Sequence, residues 1–231
     1  MSTNSFPKAV LWDMDGTLID SEPYWLLSES RLAQQYGGTW SQADGEQLIG
    51  NNLFDASDFL RAKFGIEDKS TQDVIDQLTD EVVAQLRQQL PWRPGALELL
   101  ISLKRAGIKT ALVTMSMRKM AMGVVEQIDF QAFDVVVAGD DVVNGKPDPE
   151  PYQKAADLLG VATSDCLAFE DSPTGIASAV AAGCHTIGIP NIVNLPDGPG
   201  RRIVPSLLDI NVEELSSLRI GNRQAKLRND D

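Results

Sequence analysis

Two aspartates spaced two residues apart, Asp13 and Asp15, follow the apolar run at 8–12. In an extended chain, residues two apart point to the same side, so both carboxylates can face one site. One carboxylate can act as a nucleophile that forms an aspartyl-phosphate, and the other can give and take protons. A bare pair of this kind is also typical of a solvated acidic turn. The apolar run before it and Gly16-Thr17 behind it favour a catalytic role.

Further residues with useful chemistry stand near the ends of later apolar runs, namely Thr114, Lys146, Glu170 and Asp171. The Thr114 hydroxyl can bind phosphate oxygens, although a β-branched strand residue is an equally good interpretation. Lys146 can offset negative charge in a transition state, although a lysine in a turn is more often solvated. Glu170 and Asp171 can bind a cation, but two acids before a serine and a proline are also typical of a helix start.

The carboxylates of Asp13, Asp15 and Asp171 would repel one another, and any phosphate, if they met without a cation. Magnesium takes oxygen ligands, with few from the protein and the rest from water and substrate phosphate. We therefore expect Mg²⁺ as the cofactor.

Apolar runs alternate with helical patterns over most of the chain, which predicts a parallel sheet with helices on both faces, a doubly wound α/β fold. The predicted strands are 8–12, 109–114, 134–138, 166–169, 185–189 and a weaker one at 202–204. The predicted helices of this part are 95–106, 117–128, 150–159, 173–182 and 211–218. Ligands bind at the carboxyl ends of the strands in such sheets, which is where the candidate residues lie.

A polar stretch with helical patterning interrupts the alternation after the first strand. Its predicted helices are 21–36, 41–48, 52–64 and 71–90. Because this stretch is too long for a simple loop, we predict a helical cap subdomain at 20–91, inserted into an α/β core domain at 1–19 and 92–231. Hinges are expected near 16–20 and 90–94.

The net charge of −13 argues against nucleic acid as a partner, because phosphate backbones favour basic surfaces. No apolar segment is long enough to cross a bilayer, and the N-terminus does not resemble a signal peptide, so we expect a cytoplasmic protein with no membrane partner. Cys166 and Cys184 are expected to be buried free thiols. His185 is expected to pack within a strand, which argues against a histidine-based triad. We expect a monomer or a weak oligomer.

The segment 13–18, Asp-Met-Asp-Gly-Thr-Leu, followed in order by Thr114, Lys146 and the pair Glu170-Asp171, resembles the four motifs of the haloacid dehalogenase superfamily. The resemblance covers almost the whole chain, and the helical insert is similar to the cap of that superfamily. The stretches 19–22 and 169–175 are similar to the branch that contains β-phosphoglucomutase and small sugar-phosphate phosphatases.

This resemblance implies roles for the four candidate acids. Asp13 would be the nucleophile and a metal ligand. Asp15 would be the acid/base, with its backbone carbonyl on the metal. Asp171 would bind magnesium, and Glu170 would act on it through water.

The resemblance also implies that Thr114, the loop at Met115 and Lys146 hold the phosphoryl group. One departure is the second motif, which usually reads Thr/Ser-Asn-Ser and is Thr-Met-Ser at 114–116. The hydroxyl is kept, and Met115 is expected to alter the substrate pocket. As a group, the methionines at 115, 117, 120 and 122 look like core filler.

A phosphatase is favoured over a β-phosphoglucomutase-like mutase, because a mutase needs a second phosphate site in its cap. The stretch Gly50-Asn51-Asn52 carries no cation, and residues 20–91 contain 13 acids and 5 bases. These three residues are candidate contacts to a small phosphorylated metabolite, or a turn that separates two helices. A sugar phosphate is the favoured substrate. A phospho-acceptor signalling protein and a non-catalytic binding protein are the alternatives from other classes.

Overall fold

A wholly parallel sheet forms the centre of the computed structural model, which describes residues 6–48 and 52–218. The strands are β1 (Ala9–Trp12), β2 (Lys109–Val113), β3 (Val135–Val137), β4 (Cys166–Glu170), β5 (His185–Gly188) and β6 (Arg201–Ile203). Their spatial order is β3-β2-β1-β4-β5-β6. Strand β1 lies in the interior, where Leu11 is opposite Ala111 on one side and Ala168 on the other.

The α-helices are α1 (Glu22–Gln35), α2 (Gln42–Gly45), α3 (Leu53–Phe64), α4 (Thr71–Leu86), α5 (Ala96–Arg105), α6 (Arg118–Val125), α7 (Glu150–Leu159) and α8 (Pro173–Ala182). Helices α5 to α8 cover the two faces of the sheet. Alternate residues of β1 enter different cores: Val10 and Trp12 pack with α5 and α6, and Ala9 and Leu11 pack with α7 and α8. The fold is therefore the predicted doubly wound α/β fold.

The four helices α1–α4 form an insert between β1 and the rest of the sheet. Within it α3 begins at the Asn52 cap, and α4 begins at a capping box of Ser70 and Asp73. The insert has its own apolar cluster, to which Leu32 and Leu60 contribute. The C-terminal half of α4 also packs on α6, so the insert shares an apolar contact with the sheet.

The chain leaves and re-enters the sheet through two adjacent segments. The Asp20 N–H donates to the Pro91 carbonyl at 2.7 Å, and the Arg93 N–H donates to the Leu18 carbonyl at 3.0 Å. These crossings lie beside the expected hinges. The domain boundaries at 20 and 91 stay a prediction.

Several predicted element ends differ from the structure. Helix α4 ends at Leu86 instead of 90, α6 ends at Val125 instead of 128, and α2 covers only 42–45. The segment Val212–Leu218 is a 3-10 helix, not an α-helix. Strand β4 continues through Glu170, which remains paired with Gly188 of β5.

Cys166 and Cys184 are buried free thiols, as predicted. Across residues 6–48 and 52–218, no helix is both long enough and apolar enough to cross a membrane.

Candidate active site

The carboxyl ends of β1, β2 and β4 meet at one edge of the sheet, where Asp13, Thr114 and Asp171 directly follow the three strands. Lys146 reaches the same edge from the loop between β3 and α7. All four residues line one cavity of about 1030 Å³, and residues of α1 and α3 line it from the side of the insert. The structure thus brings together residues that lie up to about 160 positions apart.

Lys146 is buried between two carboxylates. Its Nζ donates to Asp13 Oδ1 at 2.7 Å, to Glu170 Oε1 at 2.6 Å and to the Val113 carbonyl at 3.0 Å. Burial by itself disfavours the ammonium, but the two carboxylates outweigh it and raise the pKa of Lys146. The side chain is therefore a fixed positive charge, not the solvated turn lysine that was the alternative interpretation.

Asp13 is buried at the end of β1, with one oxygen held and the other open. Oδ1 accepts from Lys146, whereas Oδ2 is buried and has no hydrogen-bond partner among residues 6–48 and 52–218. Burial raises the pKa of Asp13 to about 7, an effect that Lys146 opposes and the neighbouring acids reinforce. An ionised oxygen in this environment requires a further positive partner.

Three carboxylates offer such a partner a site. Oxygens of Asp13, Glu170 and Asp171 lie within 4.8 Å of one another. Burial, reinforced by the two other acids, raises the pKa of Asp171 well above its ordinary value. The residues therefore fit a divalent cation, because oxygen ligands, crowded negative charge and the unpartnered Asp13 Oδ2 all favour one.

Two glycines make this crowding possible. A Cβ on Gly16 would lie 1.9 Å from Asp171 Oδ2, and one on Gly175 would lie 1.9 Å from Glu170 Oε1. Gly16 also has a φ of +82°, which disfavours other residues. These close approaches explain the glycines of the first and last motifs.

Glu170 has direct contacts that the sequence did not indicate. Its Oε1 accepts from Lys146 and, at 2.6 Å, from the buried Tyr152 hydroxyl. Its Oε2 accepts from the Ser172 hydroxyl at 3.2 Å. The predicted action of Glu170 through water stays a prediction, beside this clear role in holding Lys146.

The Asp15 carboxylate lies among three hydroxyl groups. Ser21 donates to Oδ1, and Oδ2 accepts from Ser116 at 2.7 Å and from Thr114 at 3.1 Å. The side chain thus belongs to a hydroxyl network at the cavity, adjacent to but separate from the three-carboxylate cluster. In this arrangement the Thr114 hydroxyl donates to the Asp15 carboxylate, and its predicted contact with phosphate stays a prediction.

Two methionines lie against the site instead of in the core. Met115 Sδ accepts the Lys146 backbone N–H at 3.2 Å and lies over Gly145, which fixes the loop that carries the lysine. Met117 lines the same cavity. The interpretation as core filler is correct for Met120, which is fully buried, and wrong for Met115 and Met117. The reason is that β2 ends at residue 113, so the chain turns along the cavity before α6 begins.

The insert contributes an acidic wall with apolar patches. Glu22 and Glu29 of α1 line the cavity, and burial raises the pKa of each to about 7. Asn52 lines it as well, while its side chain caps α3 through the Asp55 N–H at 2.9 Å. Gly50 and Asn51, the other predicted contacts, lie outside the described residues.

Sequence reasoning missed four functional candidates. Ser21 and Ser116 lay inside quoted motif stretches, so their hydroxyls were a usable signal. Glu29 stands seven residues after Glu22, on the same face of α1, which is a weaker signal. Tyr152 contacts Glu170 only because α7 packs against the sheet, and no local pattern indicates that.

Residues 10–189 match the family described as haloacid dehalogenase-like hydrolase. The chain is 33% identical over 181 residues to the phosphorylated carbohydrates phosphatase of Thermotoga maritima, covering 78% of this chain and 83% of that protein. It is 34% identical over 184 residues to hexitol phosphatase A of Escherichia coli, covering 79% and 82%.

Solved structures of similar fold belong to related proteins. CbbY from Rhodobacter sphaeroides, in complex with xylulose-(1,5)bisphosphate, has a TM-score of 0.77 at 25% identity, over 89% of this chain and 96% of that one. A putative β-phosphoglucomutase from Thermotoga maritima has a TM-score of 0.69 at 29% identity, over 91% and 97%. The chain therefore belongs to the haloacid dehalogenase-like hydrolases. Within them it is a phosphoric monoester hydrolase of the branch that includes the β-phosphoglucomutase-like proteins.

Proposed function

We propose that the protein is a Mg²⁺-dependent phosphatase that hydrolyses a small sugar monophosphate through an aspartyl-phosphate on Asp13. The observation that carries the proposal is the convergence at Asp13. Lys146 lies 2.7 Å from one of its oxygens, the other oxygen is unpartnered, and Asp15 opens onto the same cavity.

In the first step the Asp13 carboxylate attacks phosphorus in line, and the bond from phosphorus to the alcohol oxygen breaks. Asp15 gives a proton to the departing oxygen. In the second step Asp15 takes a proton from water, whose oxygen attacks phosphorus and releases Asp13 and inorganic phosphate. Lys146 and Thr114 hold the phosphoryl oxygens. Asp13, Asp171 and the backbone of Asp15, with Glu170 near them, would hold Mg²⁺, which would supply positive charge against the phosphoryl oxygens.

The insert is proposed to act as a cap, with the boundaries 20 and 91 that the sequence suggests. Its α1 and α3 residues line the cavity opposite Asp13, so movement at the crossings near Asp20 and Pro91 would open and close the site. Closure would exclude bulk water from the acyl phosphate.

A sugar phosphate is supported by relatives named for phosphorylated carbohydrates and hexitol phosphates. A mutase is the second candidate, because solved structures of putative β-phosphoglucomutases share the fold at 28–29% identity. The acidic insert favours the phosphatase, since a mutase must bind a second phosphate. Cytoplasmic location and a monomeric or weakly oligomeric state remain predictions.

The test is a panel of phosphorylated sugars and small phosphorylated alcohols, assayed for phosphate release with Mg²⁺ and with EDTA. We expect release that EDTA abolishes reversibly and that Asp13→Asn abolishes. Glu67→Gln, which removes an exposed carboxylate of the insert outside the cavity lining, should leave phosphate release intact. Conversion of a sugar 1-phosphate to its isomer would support the mutase instead. A phosphorylated Asp13 that persisted without turnover would indicate a phospho-acceptor protein.

A further inference from the structure

The part of the cavity that faces the insert has no cation to bind a second phosphate. Among the described residues that line the cavity, Lys146 is the one lysine or arginine, and it is already bound to Asp13 and Glu170. The insert adds carboxylates to the lining, namely Asp20, Glu22, Glu29, Glu46 and Asp55. A second phosphate or other negatively charged group on the far end of the substrate would therefore meet like charge.

One of these carboxylates is held in a different way from the rest. Glu29 is only 8% exposed, and its Oε2 accepts from the Trp40 indole N–H at 2.8 Å. Its Oε1 accepts no hydrogen bond from any residue of the described part of the chain. This oxygen is therefore open to a hydrogen bond from a molecule in the cavity, whose wall Glu29 lines.

The surroundings of Glu29 are apolar and tightly packed. Trp25 and Leu26 of α1 line the same wall, and Phe54 of α3 is 53% exposed beside the cavity. Gly45 of α2 packs closely against this part of α1, because a Cβ on Gly45 would lie 2.8 Å from Leu26 Cδ1 and 3.4 Å from Glu29 Oε2. Glu29 is thus a rigid acceptor among apolar groups, which is the composition of a site that selects a small ligand by a few placed polar groups.

We infer that Glu29 is a specificity-determining residue, whose free oxygen accepts a hydrogen bond from a hydroxyl of the alcohol half of the substrate. That half is an uncharged polyol that carries no second phosphate. The inference rests on the proposed phosphatase function, and it adds the side chain that recognises the part of the substrate remote from phosphorus.

The test measures kcat/KM of Glu29→Gln and of the wild type on two substrates, near pH 8 with Mg²⁺ present. A hexitol monophosphate carries hydroxyls that can reach the wall, whereas p-nitrophenyl phosphate carries none. Loss of a hydrogen bond to a charged acceptor should lower kcat/KM for the hexitol phosphate by about 10- to 100-fold, mainly through KM. The value for p-nitrophenyl phosphate should change by less than about twofold.

The control is Glu67→Gln, which removes the same charge from an exposed position of the insert outside the cavity lining and should leave both substrates unaffected. Equal losses on both substrates, or no loss on either, would overturn the role of Glu29 while leaving the phosphatase intact. Efficient hydrolysis of a hexose bisphosphate by the wild type would overturn the inference that the alcohol half of the substrate is an uncharged polyol. A wild type inactive on every phosphomonoester would overturn the proposed function itself.

Discussion

The Glu29 carboxyl group is buried in the cavity wall, and replacing it with glutamine should stabilise the protein at alkaline pH. Burial raises the pKa of Glu29 to about 7, because the hydrogen bond from Trp40 only partly replaces the lost hydration of the carboxylate. In the unfolded chain the pKa returns to its ordinary value of 4.5. Between these values the folded protein holds a proton that the unfolded chain releases. The free energy of unfolding therefore falls as the pH rises through this interval.

The rise in the pKa of Glu29 from 4.5 to about 7 corresponds to a loss of about 3 kcal/mol in the free energy of unfolding once the group is ionised, since one pKa unit is worth about 1.4 kcal/mol. Glu29→Gln has no ionisable group at this position, but it keeps the size of the side chain and an oxygen for the Trp40 indole. Its free energy of unfolding, relative to the wild type, should therefore increase by about 3 kcal/mol between about pH 4.5 and about pH 8.

Urea unfolding of both proteins at a series of pH values, with EDTA present, measures this difference. Titrating groups that do not interact with Glu29 cancel when the two free energies are subtracted. Glu46→Gln is the matched control, because Glu46 is exposed and the argument from burial does not apply to it. If the difference in unfolding free energy between Glu29→Gln and the wild type did not vary with pH, the argument that burial raises this pKa would be refuted.

Three further predictions concern the catalytic edge of the sheet. Tyr152→Phe removes the hydroxyl that lies 2.6 Å from Glu170 Oε1, and should lower the free energy of unfolding by about 1.5–3 kcal/mol in urea titrations. A loss below about 0.5 kcal/mol would show that the bond contributes little. Gly16→Ala should weaken Mg²⁺ binding by about tenfold or more in calorimetry, since its Cβ would displace Asp171. Gly37→Ala has the same backbone strain but nothing within 4 Å, so equal weakening there would exclude the clash as the cause. Saturating Mg²⁺ should raise the unfolding free energy of the wild type by about 2.7 kcal/mol at one hundred times its Kd, and no rise would contradict a cation site.

The alternation of strands and helices was readable from the sequence because buried parallel strands are continuous apolar runs with glycine stops between elements. Helix α8, Pro173–Ala182, has its predicted bounds because Ser172 caps its start and Gly183 ends it. Helix α4 was predicted too long, since residues 87–90 carry no strong stop signal.

The candidate site was only partly readable. The topology of the sheet places Asp13, Thr114 and Asp171 at one edge, so their proximity follows once the strands are identified. The predicted strand ends at 169, before Glu170, because an acid inside a buried strand is unfavourable unless it has partners. Its partners Lys146 and Tyr152 come from a remote loop and from α7, and local patterns carry no information about them.

By itself the sequence determined the fold class and the set of groups that meet at the sheet edge, since both follow from local periodicity and the polarity of parallel strands. Tertiary packing alone decided how those groups are paired. It joined Thr114 and Ser116 to Asp15 across about one hundred residues, left Asp13 Oδ2 without a partner, and placed Glu29 in a cavity wall. Hydrogen bonding and burial depend on distances between remote segments, and these exist only in the folded chain.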